Sequence, residues 1–173
     1  RQIFEYSDEK IGVMDKGGKD KGDDYDDSDE WEVHETVFDS GAAECVADSE
    51  MFPQVEAKES AGSKLGRHFT SATGEEVPNE GEKVTPVVTE EGKCKLMTWQ
   101  LAKVNKPLTA VGKVCDQDNI CVFGKRGGFI RDMKTGELTK FNRKNGIYIM
   151  KFWMKKQKEK EKSKDFQGPG EKE

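Results

Sequence analysis

V-T-P-V-V-T-E-E-G-K-C-K-L-M-T-W-Q-L-A-K-V, residues 84–104, is the stretch that decides the fold class. Val84–Thr89 is rich in β-branched residues, Glu90-Glu91-Gly92-Lys93 is a turn, and Lys95–Val104 resumes as a strand. The second arm alternates cleanly: Leu96, Thr98 and Gln100 fall on one face, Met97, Trp99 and Leu101 on the other. That is a period of two, and it predicts a hairpin with one buried face. Downstream, Ile120–Phe123, Gly128–Arg131, Glu137–Phe141 and Ile147–Trp153 read as strands, joined by glycine-bearing turns at 124–128, 135–136 and 145–146. Upstream, His68–Ser71 enters a turn at Thr73-Gly74 and Glu76-Val77-Pro78 leaves it. Earlier still, Trp31, Val33 and Val37 share the odd positions of a strand that runs into Asp39-Ser40-Gly41, and Ala43–Val46 is a second short strand. Residues 47–66 are mixed, with a helical turn expected near Met51 and a loop through Gly62 and Gly66. Many short strands and no helix of three turns mean an all-β domain. The turns do not recur at a fixed spacing, which excludes a propeller or solenoid.

Composition says where this domain ends. Of the 57 apolar residues, 48 lie within 31–153, so a core is concentrated there and absent from the flanks. Residues 1–30 carry a net charge of −6, culminating in Asp23, Asp24, Asp26, Asp27, Asp29 and Glu30, and read as an acidic disordered segment. Residues 154–173 are a lysine-rich tail of net charge +2. The central domain is left near neutrality, so it makes no electrostatic case for nucleic acid. No apolar run reaches the roughly 20 residues of a membrane helix, and no membrane association is expected. The chain opens at Arg1 and reads as part of something longer. Cys45, Cys94, Cys115 and Cys121 are spaced by 49, 21 and 6 residues, with no C-x-x-C and only His34 and His68 to join them. Zinc sites need closer ligand pairs, so no metal and no cofactor is expected, and reduced thiols point to a cytoplasmic setting.

One constellation carries chemistry. Val37-Phe38 leads into Asp39-Ser40-Gly41-Ala42, a carboxylate at the end of an apolar strand followed by a glycine that brings backbone amides close. Amide hydrolysis needs one group to take a proton from water and another to give one to the substrate. A single carboxylate does not do both. Two copies meeting across a two-fold axis solve this: like charges about 3 Å apart cannot both ionise, so the pair shares one proton.

The neighbourhood of this tripeptide resembles the retropepsin family, the homodimeric aspartic proteases of retroviruses and retrotransposons. The D-S-G-A element at Asp39 to Ala42, flanked by Val37-Phe38 and by Val46 seven places on, is similar to the family's active-site loop. Pro107-Leu108-Thr109-Ala110-Val111-Gly112-Lys113, with its glycine 73 residues after Asp39, resembles the second landmark, an apolar pair followed by glycine and a basic residue. Phe69 to Pro78 resembles the flap of retrotransposon proteases, and the stretch from Val122 to Tyr148 looks like the region that follows the protease in copia-type polyproteins. The resemblance spans about 31–153. It implies a closed retropepsin-like β-barrel with a flap hairpin, and an aspartic endopeptidase acting as a homodimer on a retroelement polyprotein. By position, Asp39 would be catalytic. Ser40, Gly41 and Ala42 would support the dyad, with Ser40 bonding across the dimer. Thr73, Gly74 and Glu75 would form the flap tip, and Val111 with Gly112 would pack against the active-site loop. The chain departs from the family at Thr109 and Ala110, where bulkier residues are usual. It places Glu75 and Glu76 on the flap, shows no helical pattern in Val114–Asn119, and offers no clear dimer-stitching terminal strand.

Two other readings stay open. A module of the same fold that no longer cuts would keep the barrel and lose its dimer contacts. Alternatively, the tail Lys155, Lys156, Lys158, Lys160, Lys162 and Lys164, preceded by Phe152-Trp153, would touch phosphates and stack a base, although Glu159 and Glu161 interrupt the lysines. His34 and His68 read as solvated or core-edge residues, and Cys45 as a small buried one.

Overall fold

The computed structural model describes residues 4–6 and 30–157. Half of the described residues lie in strands, and the two helices have four and five residues. The strands are β1 (Phe4–Tyr6), β2 (Trp31–Asp39), β3 (Val46–Ala47), β4 (His68–Thr70), β5 (Glu76–Pro78), β6 (Glu82–Thr89) and β7 (Cys94–Leu101). They continue as β8 (Leu108–Ala110), β9 (Asn119–Phe123), β10 (Gly127–Asp132), β11 (Leu138–Lys144) and β12 (Ile147–Lys155). The helices are α1 (Ala61–Lys64) and α2 (Val111–Cys115).

Six strands close a barrel in the order β7-β3-β8-β2-β12-β6 and back to β7. Closure removes free edges, which is how an all-β chain avoids templating its own aggregation. The hairpin of β6 and β7 pairs from Glu82↔Gln100 to Val88↔Cys94, as the alternation predicts, with Met97, Trp99 and Leu101 buried. β12 pairs with β2 along Ile149↔Val37 to Lys155↔Trp31 and touches β6 at Phe152↔Thr89. Its other end leaves the barrel and carries an outer meander of β11, β10 and β9. β1, inside the acidic segment, pairs with β7; the rest of that segment and residues 158–173 lie outside the described residues.

The core is aromatic and sulfur-rich. Trp99, Phe52 and Phe152 lie within 5.5 to 6.1 Å of one another, and Met97, Met150 and Met154 fill the space between strands. Burying an indole requires an acceptor for its N–H. Trp99 Nε1 donates to Thr85 Oγ1 at 2.9 Å. His34 is a core-edge residue: its ring stacks on Phe152 and its Nε2 meets Glu32 Oε1 at 2.9 Å.

Several local expectations are corrected. In β2 the buried face is the even one, Thr36 and Phe38, while Val33 is 56% exposed. Thr36 tolerates burial because its hydroxyl bonds Thr109 Oγ1 at 2.7 Å and Pro107 O at 3.2 Å. The segment around Met51 forms hydrogen-bonded turns, with Phe52 at φ 57°, instead of a helical turn. The short helix lies further on at α1, capped by reciprocal Ser60–Ser63 bonds. β3 covers only Val46–Ala47. β12 runs to Lys155, so the first tail lysine belongs to the barrel, with its Nζ 5.5 Å from the Trp31 ring centre.

Candidate active site

Asp39 ends β2, and what fixes it is the strand beside it. β8 lies between β2 and β3, parallel to the first (Val37↔Leu108, Phe38↔Thr109, Asp39↔Ala110) and antiparallel to the second (Val46↔Leu108). Such a register brings the late segment directly alongside the D-S-G-A loop, although the two are about seventy residues apart in sequence. The wall between them is sealed by polar atoms that satisfy one another: the buried Thr36–Thr109 hydroxyl pair, Val37 N–H donating to Pro107 O at 3.0 Å, and Ala110 N–H donating to Cys45 Sγ at 3.3 Å. Burial pushes the Cys45 thiol up to about 11, which keeps it protonated and unreactive at neutral pH.

Within the loop, Gly41 N–H donates to Asp39 Oδ1 at 2.8 Å. A Cβ at position 41 would stand 3.3 Å from that same oxygen, so a larger residue presses on the carboxylate. Asp39 and Ala42 are half-buried, with Ala42 packed on the core, whereas Ser40 and Gly41 are exposed. The Ser40 hydroxyl meets no partner among the described residues of one chain. The second landmark is brought to the same place: Val111 and Gly112 open α2, directly after the Ala110 that pairs with Asp39. α2 starts at Val111 and ends at Cys115, so residues 116–119 carry no helix, in keeping with the absence of helical pattern through most of Val114–Asn119. The expected reason for Gly112 is corrected, since a Cβ there would meet no heavy atom within 4 Å and nothing in one chain requires glycine. Lys113, the basic residue of the landmark, reaches Glu44 of the loop at 3.1 Å and ties α2 to it.

Thr73, Gly74 and Glu75 sit at the tip of the hairpin of β4 and β5, which forms a separate two-stranded sheet with Phe69↔Val77 at its centre. Gly74 has φ +83°, a conformation that glycine adopts without steric cost, and its N–H closes the turn onto Ser71 O at 2.9 Å. All three tip residues are exposed. At the hairpin's base Asn79 is a hub: its Nδ2 donates to Gln100 Oε1, and its Oδ1 accepts from Ser60 Oγ and Gly81 N.

Sequence reading missed Lys83. It points into the barrel wall at 5% exposure, and its ammonium donates to the carbonyls of Ser49, Met51 and Phe52 at 2.9, 2.8 and 3.2 Å. Desolvation lowers its pKa, with Asp48 pulling the other way. Only the odd placement of a lysine on the inward face of β6 signalled it.

Among the described residues, no group of three or more His, Cys, Asp or Glu is arranged to hold a metal ion, and no helix is long and apolar enough to cross a membrane. Compared with family models, curated proteins and solved structures, the chain finds no match in any of the three.

Proposed function

We propose that this chain is an aspartic endopeptidase of retropepsin type, active only as a homodimer. Its particular role would be the processing of a retroelement polyprotein of the copia kind, with extended polypeptide as substrate. The observation that carries the reading is β8 lying between β2 and β3, so that Asp39 pairs with Ala110 and the Ser40-Gly41 loop and the Val111-Gly112 turn leave from adjacent strand ends. Two sequence elements singled out separately thereby become one structural unit.

In the dimer, two Asp39 carboxylates face each other and hold one proton between them. The ionised member takes a proton from water, whose oxygen attacks the scissile carbonyl, while the protonated member donates to the carbonyl oxygen. Gly41 N–H, already on Asp39 Oδ1, orients one oxygen of each carboxylate. The exposed Ser40 hydroxyl is available to bond across the interface, and the β4–β5 hairpin is the element that would close over the peptide.

An inert module of the same fold is the second reading. It is favoured by Glu75 and Glu76, which add negative charge to an element that would lie over two carboxylates. Nucleic-acid binding by the tail is less well supported, since Lys155 is engaged on Trp31. Sedimentation of the chain beside a peptide-cleavage assay separates the first two. The protease reading expects a dimer, pepstatin-sensitive cleavage, and complete loss of cleavage in Asp39→Asn with folding retained. A strict monomer without cleavage overturns it.

A further inference from the structure

The near-neutral charge of the domain conceals a segregation. Residues 119–131 and 138–156, which include all of β9, β11 and β12 and most of β10, carry nine cations and no aspartate or glutamate. The antiparallel register sorts their side chains by face. Val122, Phe129 and Lys140 stand in one row across β9, β10 and β11, and Ile120, Arg131 and Leu138 in the next. The alternate rows, Cys121-Ile130-Thr139 and Phe123-Gly128-Phe141, turn the other way, and Ile130 and Phe141 are buried in the core. The first two rows therefore face away from the core, and all six residues are exposed except the half-buried Phe129. Lys144, exposed and further along the same face of β11, extends the cationic side.

The side chains of Arg131, Lys140 and Lys144 have no carboxylate partner among the described residues. Acids adjoining these strands are engaged: Asp118 on Lys134 at 3.0 Å, Glu137 on Lys93 at 2.7 Å, and Glu91 as acceptor of the Lys140 backbone N–H at 2.8 Å. A second copy laid on this face would bring like charges together, so the face is not self-complementary. A chain of phosphates that also offers flat, unpaired bases matches both of its features, because cations take phosphates and an aromatic ring on an apolar sheet takes a base. A duplex hides its bases and would use the cations alone.

From this juxtaposition we infer that the outer face of β9, β10 and β11 binds single-stranded nucleic acid, with phosphates on Arg131, Lys140 and Lys144 and a base stacked on Phe129. The inference rests neither on the protease reading nor on the lysine-rich tail.

The test uses the full chain and a fluorescein-labelled oligothymidylate of about twenty nucleotides, followed by anisotropy. The wild type is expected to bind with a Kd of about 10 µM or lower at about 50 mM salt. The double variant Arg131→Gln with Lys140→Gln should bind about tenfold more weakly or worse, and its salt slope should fall by about 1.4. Phe129→Ala should weaken binding about fivefold or more, whereas Phe129→Tyr keeps the ring and should bind as the wild type does. The double variant, changed only at exposed positions, keeps the test decisive should Phe129→Ala fail to fold. The inference is overturned if the wild type does not bind, or if the double variant binds as tightly as the wild type, which would place binding on the tail. It is equally overturned if polyglutamate or an abasic strand of the same length binds as tightly as oligothymidylate.

Discussion

The wall of β2, β8 and β3 beside Asp39 and the hairpin of β4 and β5 each include three-residue strands, yet they are held in opposite ways. In the wall, Thr36, Thr109, Ala110, Cys45 and Val46 are all buried, and every polar group named there has a partner inside the protein. In the hairpin no residue is fully buried, and its strands pair only with each other. Local opening costs little where few apolar groups are covered and backbone bonds face water. The first region is fixed by buried partners on both sides, while the second can open locally without disturbing the barrel. The proposed endopeptidase activity would draw on both properties.

Hydrogen exchange should show the contrast most strongly. The amides of Val37 and Ala110 are expected to exchange at least about a thousandfold more slowly than those of Ser71 and Gly74, because wall amides open only with the barrel. Comparable rates would erase the distinction. Trp99→Ala removes the largest side chain behind the wall and should cost about 3–5 kcal/mol in denaturant titrations. A loss under about 1 kcal/mol would mean that the core is not organised around that ring. Thr36→Val keeps the shape but strands the Thr109 hydroxyl, and a loss of about 1–3 kcal/mol is expected. In the hairpin, Gly74→Ala meets φ +83° and should cost about 1 kcal/mol locally, with the barrel's unfolding midpoint unmoved. A shift as large as that of Thr36→Val would show the hairpin to be part of the barrel's cooperative unit.

The smallest effect concerns a second exposed turn, between β10 and β11. Backbone N–H groups of Thr135 and Lys134 donate to Asp132 Oδ1 and hold its carboxyl below the ordinary range. A depressed folded pKa contributes stability above the unfolded value of about 4 and loses it as pH falls through the folded value. Asp132→Asn should therefore flatten the acid limb of the stability curve slightly and leave neutral stability within about 1 kcal/mol. An unchanged acid limb would remove Asp132 from the account.

What was legible in the sequence follows from where satisfaction is local. The β6–β7 hairpin reads directly, because Met97, Trp99 and Leu101 alternate with polar residues across a glycine turn. The D-S-G-A loop reads directly too, since its Gly41–Asp39 bond spans two residues. The buried face of β2 does not show in its apolar residues, because Thr36 is polar and its partners Pro107 and Thr109 lie about seventy residues away. Lys83 escaped for the same reason: an ammonium enters a barrel wall only when carbonyls meet it, and those belong to a distant turn. Glu44–Lys113, which ties the two halves of the candidate site, is likewise non-local.

The most direct test of the central claim is a mixing experiment. Asp39→Asn chain is titrated into wild type at fixed wild-type concentration while peptide cleavage is followed. If each active unit needs one Asp39 from each of two chains, the inactive partner must poison the active one, and cleavage falls toward zero as the variant reaches excess. Cleavage that holds steady throughout the titration would mean that a single chain does the chemistry, which contradicts a shared-proton pair.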